Sequence, residues 1–104
     1  MKIEEVLQKL AETDEPAAKS ASEAKRLERH LKIVFANEFL KQTGTVAERE
    51  SKARASEAYM LAHNQLHEAE SERLLYQNDR ATNIMRFDYW RSLNANRRQA
   101  GENL

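Results

Sequence analysis

Three side chains in the middle of the chain have the spacing of a metal site. His63, His67 and Glu70 stand at i, i+4 and i+7, which puts them on one face of a helix, where two imidazoles can share a Zn²⁺. No Glu directly follows His63 to act as the base of a metalloprotease motif, so chance placement on a polar helix is the plainer reading and no metal is expected. Covalent catalysis has no better footing. The chain has no Cys and only two glycines, so there is no thiol nucleophile, no Gly-flanked Ser and no Gly-rich loop to cradle phosphates. Catalytic geometry is normally carried on loops held by a scaffold, and this sequence has almost no loops. Neither an enzyme nor a cofactor is expected.

The chemistry that remains belongs to positive charge and aromatic rings. Lys and Arg number 17 and so do Asp and Glu, so net charge points to no partner, but the charges are blocked. Residues 1–15 hold five acids and two bases. Residues 19–32 hold Lys19, Lys25, Arg26, Arg29 and Lys32 against Glu23 and Glu28; residues 57–72 hold four acids and no Lys or Arg; residues 86–98 hold Arg86, Arg91, Arg97 and Arg98 against Asp88. Basic blocks on helices are footholds for phosphates whatever the base sequence. The plain alternative is a solvated face with i, i+4 ion pairs such as Glu28 with Lys32, each worth a few tenths of a kcal/mol. Lys52 and Arg54 are two residues apart and point about 200° apart around a helix, so on one protomer they make no single tight cluster. Tyr59, Tyr89 and Trp90 are candidate platforms for stacking unpaired bases, with core packing or interface anchoring as the commoner fate of such rings.

The elements that must position these groups read as helices throughout. Residues 45–99 contain neither Gly nor Pro and open on Thr45-Val46-Ala47-Glu48, the pattern of a capping box. One helix over 45–99 would be roughly 80 Å long, with Asn78-Asp79 and Thr82-Asn83 as the stretches of weakest helix propensity, where it would kink. A short amphipathic helix is expected over 1–13, with Ile3, Val6, Leu7 and Leu10 on its apolar face. It ends at Thr13-Asp14-Glu15-Pro16, and a second helix follows over 15–43, its inward stripe running Ala17, Ala21, Ala24, Leu27, Leu31, Val34, Phe35 and Phe39. Gly44 supplies a left-handed closing residue, and so short a turn makes the neighbours antiparallel. Across that hairpin, Ala47, Ala53, Ala55 and Ala58 would face Phe35 and Phe39, and Tyr59, Met60, Leu61 and Leu66 would face Ala24, Ala21 and Ala17. Residues 100–104 read as a frayed tail.

The fold expectation is therefore all-α and single-domain over 1–104: a helical hairpin with a long C-terminal helix and a short N-terminal one. Its apolar surface beyond about residue 72 (Leu74, Leu75, Ile84, Met85, Phe87, Tyr89, Trp90) implies association of copies into an oligomeric bundle or coiled coil. The acidic start has no apolar run of signal-peptide length, no segment is apolar enough to span a bilayer, and the absence of Cys suits a reducing compartment. The expected location is cytoplasmic, without membrane contact.

Taken in order, Leu31 to Phe39 as the aromatic-rich end of a helix, a short break, Ala47-Glu48-Arg49-Glu50-Ser51-Lys52-Ala53-Arg54 leading to Tyr59, and the later Tyr89-Trp90 resemble the UvsY-type recombination mediators of tailed phages. The likeness spans about residues 19–98. These are small helical proteins that help load a recombinase onto single-stranded DNA, and a Lys-x-Arg element early in their long helix is implicated in DNA contact; here it falls on Lys52 and Arg54. The resemblance implies a non-catalytic, oligomeric, single-stranded DNA-binding protein in which Lys52 and Arg54 hold phosphates, helped by Lys25, Arg26, Arg29 or the Arg97-Arg98 pair. Tyr59, Tyr89 and Trp90 would stack bases or hold protomers together. The rival expectation shares the fold: a helical protein-interaction module, such as an adaptor, inhibitor or virion component, without nucleic acid.

Overall fold

The computed structural model describes residues 2–101. Three helices occupy them: α1 over Ile3–Leu40, α2 over Val46–Arg54 and α3 over Glu57–Gln99. The described residues are about 90% helical and contain no strand. None of the three helices is long and apolar enough to cross a membrane. The chain clusters into two compact units, one built from residues up to Ala18 and from Leu74 onward, the other from Lys19–Arg73.

A single spacing rule governs what each helix turns inward. Along α1 the shielded positions include Ile3, Val6, Leu10, Thr13, Ala17, Ser20, Ala24, Leu27, Leu31, Val34 and Glu38; along α3 they include Tyr59, Ala62, Leu66, Ala69, Arg73, Tyr76, Arg80, Asn83, Phe87, Trp90 and Asn94. Both series alternate steps of three and four. That 3.5-residue period is the seam of a coiled coil, and within each unit the contacts run antiparallel. Phe35 meets Tyr59 in one, while Leu10 and Thr13 meet Arg80 in the other.

The rule explains why the break expected at residues 13–16 is absent and the anticipated first two helices are one. Proline inside a helix typically costs about 3 kcal/mol because it removes a donor and crowds the carbonyl four residues back. Pro16 nevertheless lies within α1, on the exposed side, and the seam passes it unbroken from Thr13 to Ala17. Arg80 supplies donors to the turn before it. One guanidinium nitrogen donates to the Leu10 carbonyl at 2.7 Å and to the Thr13 hydroxyl at 2.9 Å, and the other reaches Asp14 at 3.3 Å. Thr13 in turn donates to the Lys9 carbonyl at 2.7 Å.

The expected continuous helix over 45–99 is interrupted instead, at Ala55-Ser56. Ala53 and Ala62 are both buried, at 0% and 2% exposure. Nine residues apart on an unbroken helix, they would stand half a turn apart and face opposite ways. Ser56 makes the correction. Its hydroxyl accepts from the Tyr59 amide at 3.2 Å, capping α3, and donates to the Ala53 carbonyl at 2.7 Å, closing α2. The shift overturns part of the packing read from the sequence. Tyr59 packs on Phe35, while Met60, Leu61, Ala47, Ala55 and Ala58 are exposed. No kink occurs at 78–83, where Thr82 and Asn83 return hydrogen bonds to the Asn78 and Asp79 carbonyls at 3.0 Å each.

The turn between α1 and α2 forms as its residues require. Gly44 takes φ +115°, and a side chain there would meet the Glu48 carboxylate. The Thr45 hydroxyl accepts from the Glu48 amide at 3.2 Å.

Arg80 contributes its donors from a largely shielded side chain, and hydrogen bonds to charged groups are worth more than neutral ones. Replacing Arg80 with Ala should lower unfolding free energy by about 2 kcal/mol, read from urea titrations followed by circular dichroism. Unchanged stability would show that the Arg80 bonds do not hold α1 against α3.

Candidate nucleic-acid interface

Unit Lys19–Arg73 holds most of the cations and the ring implicated from the sequence. Lys25, Arg29 and Lys32 lie at i, i+4 and i+7 on the exposed side of α1, within an arc of about 60° and spread over roughly 10 Å along the axis. Among the described residues none of the three forms an ion pair; the Glu28–Lys32 pair that spacing allows is not made. Arg26 is different. It makes two bonds to the Glu23 carboxylate, at 2.9 and 2.6 Å, and its charge is matched on its own helix face.

The stripe leads into a shallow cleft lined by Leu31, Lys32, Phe35, Arg54 and Tyr59. The break at Ser56 is what turns Tyr59 toward α1, where its ring meets Phe35 edge-on at 6.1 Å and stacks on His63 at 6.2 Å with the planes 30° apart. The Arg54 guanidinium sits over the Phe35 ring at 5.1 Å, with Glu50 3.8 Å away, and more than half of its side chain remains open to water. A cation poised on an aromatic face keeps its charge and its donors available. Arg49 covers Phe39 in the same manner at 5.9 Å and donates to the Gly44 carbonyl.

Lys52 and Arg54 therefore have separate surroundings. Lys52 donates to the Thr43 carbonyl at 3.3 Å and braces the turn, whereas Arg54 lines the cleft. As their two-residue spacing required, Lys52 and Arg54 do not cluster; Lys32, counted in the basic block but not singled out, is the cation that lines the cleft with Arg54. Its signal in the sequence was the seven-residue separation from Lys25.

In the other unit, Arg97 and Arg98 occupy the last turn of α3, and Arg98 shares a shallow hollow with Asp88, Trp90, Arg91 and Asn94. Trp90 stacks on Phe87 at 6.1 Å and is partly shielded, so it serves packing. Tyr89 faces water. Among the described residues no group of three or more His, Cys, Asp or Glu could hold a metal ion; Glu70 pairs with Arg73 at 2.8 Å.

The Arg26 hydrogen bonds, reinforced by its charge, hold the Glu23 carboxyl below its ordinary value and raise that of Arg26. A lowered carboxyl pKa means that this pair adds stability at pH above the unfolded carboxylate value, and that the contribution disappears as pH falls through the lowered one. A carbon-detected NMR titration should find Glu23 with a midpoint below the usual glutamate value of about 4.3, and Arg26→Gln should move it back.

No protein-family model matches the chain, and no curated protein and no solved structure matches it.

Proposed function

We propose that this chain is a non-enzymatic nucleic-acid-binding protein that holds single-stranded DNA by its phosphates and, as the resemblance to UvsY-type mediators implies, prepares the strand for a recombinase. The observation that carries the reading is one exposed row of three unpaired cations, Lys25, Arg29 and Lys32, running into a cleft with Arg54 and Tyr59. Phosphates along an extended strand repeat at a spacing comparable with the 4.5–6 Å rise between successive cations of such a row, about 1.5 Å per residue over three or four residues. Arg54 adds a donor fork suited to a phosphate oxygen pair, and Tyr59 gives an aromatic edge at the strand's margin. Lys52 is assigned to the turn and Arg26 to its pair with Glu23, so both are secondary to this surface.

A second reading, a protein-docking helix without nucleic acid, draws on the exposed apolar residues of α3. Salt distinguishes the two, because phosphate contacts weaken steeply as salt rises while apolar contacts hold or strengthen.

Fluorescence anisotropy with labelled single- and double-stranded oligonucleotides, between 50 and 200 mM salt, tests the proposal. The single strand should bind better, and the triple substitution Lys25→Gln, Arg29→Gln, Lys32→Gln should reduce the slope of log affinity against log salt by about 2, from about 0.7 for each lost phosphate contact. Helicity should not change, since all three side chains face water. No binding at low salt, or an unaltered slope in the triple variant, would overturn the assignment.

A further inference from the structure

The outer face of α3 after Leu74 carries a second row with the same stepping as the inner seam. Leu75, Asn78, Thr82, Met85 and Tyr89 are spaced three, four, three and four residues apart, two positions beyond the shielded series, and all five are exposed. Leu75, Met85 and Tyr89 are 72%, 71% and 63% exposed, and Leu74 and Leu93 border them. A row at the 3.5-residue period, with Leu75, Met85 and Tyr89 as its apolar members and the small polar Asn78 and Thr82 between them, on a side its own chain leaves open is patterned for another helix.

The charges beside this row identify which helix. Asp79 and Arg86 follow Asn78 and Met85 directly, so they occupy the same edge of the row seven residues apart. Neither forms an ion pair among the described residues. When two copies of the row pack antiparallel about a two-fold axis between Asn83 and Ile84, Met85 of each copy falls opposite Thr82 of the other, Tyr89 opposite Asn78 and Leu75 opposite Ser92, one position from Leu93. On the shared edge Asp79 of each copy is then two positions, about 3 Å along the axis, from Arg86 of the other, giving two equivalent ion pairs. A parallel pair would place Asp79 opposite Leu74 and Arg86 opposite Ala81, with no charge matched, because parallel seams bring the two different edges together. Self-complementarity of one edge under reversal is the property an isologous two-fold interface needs.

We infer that the outer row of α3 is the interface of an antiparallel homodimer, registered by reciprocal Asp79–Arg86 pairs. This association is independent of nucleic-acid binding, because it uses none of the cations from the Lys19–Arg73 unit.

Sedimentation velocity from about 5 to 200 µM at low salt tests it, with circular dichroism confirming helicity of each variant. The full chain should show concentration-dependent doubling of mass. Asp79→Arg alone and Arg86→Asp alone should each weaken dimerisation by about tenfold, since each replaces two attractions with two repulsions. The double variant Asp79→Arg, Arg86→Asp should restore it, and Leu75→Glu with Met85→Glu should leave a monomer. A single-chain mass at every concentration would overturn the interface. A dimer that ignores the single reversals, or one that the double reversal fails to rescue, would overturn the antiparallel register.

Discussion

The seam of α1 and α3 is thin, and that constraint shapes everything built on it. Of the five buried hydrophobic residues among those described, three are Ala24, Ala53 and Ala62, with Val6 and Leu27 the larger members. Small residues let backbones approach closely but remove little apolar area from water, at about 25 cal/mol per Å². The remaining cover comes from half-shielded rings and the guanidinium groups laid over them. Phe35, Phe39 and Phe87 each have an arginine within 6 Å of the ring centre. Polar groups also occupy seam positions. Asn83 is 1% exposed, its amide donates to Asp79, and its carbonyl oxygen has no hydrogen-bond partner. A buried Asn at such a position lowers stability while fixing register, and Arg80 in the same unit specifies one alignment by reaching three acceptors on Leu10, Thr13 and Asp14 at once.

The two units present different outward faces. Lys19–Arg73 presents unpaired cations and a cleft with a guanidinium and a phenol. The unit from Leu74 onward presents the exposed Leu75, Met85 and Tyr89 in one row, with Asp79 and Arg86 along its edge. A weak phosphate-binding row gains strength when copies are tethered, because the second contact forms at high effective concentration. The two proposals are separable in experiment and would reinforce each other in one molecule.

Much of this arrangement was legible in the residues. The all-helical content, the antiparallel hairpin, the Gly44 turn and the Thr45 cap follow from local signals whose physical cause lies within a few positions. The Pro16 passage and the Ser56 interruption do not. Pro16 reads as a helix start unless the seam is known to pass it on the far side of α1, held to α3 by Arg80, 64 positions later. Ser56 followed by Glu57 is a helix-start signal, with Lys52 and Arg54 as the basic last turn before it, but an Ala- and Glu-rich context hides it. Only the need to bury both Ala53 and Ala62 decides the matter, and that is a tertiary fact. Around the cleft, the separation of Lys52 from Arg54 was legible in their two-residue spacing, whereas the meeting of Arg54 and Tyr59 with Lys32 and Phe35 was not, because it depends on the Ser56 break and on a helix some twenty residues earlier.

A backbone-amide NMR map of the protein titrated with a short single-stranded oligonucleotide locates the bound strand residue by residue. Shifts should cluster at residues 22–36 of α1 and at 54–59 around the α2–α3 junction, with Lys25, Arg29 and Lys32 side-chain signals moving alongside. Perturbation confined to the last turns of α3, or none at all, would contradict the proposed site.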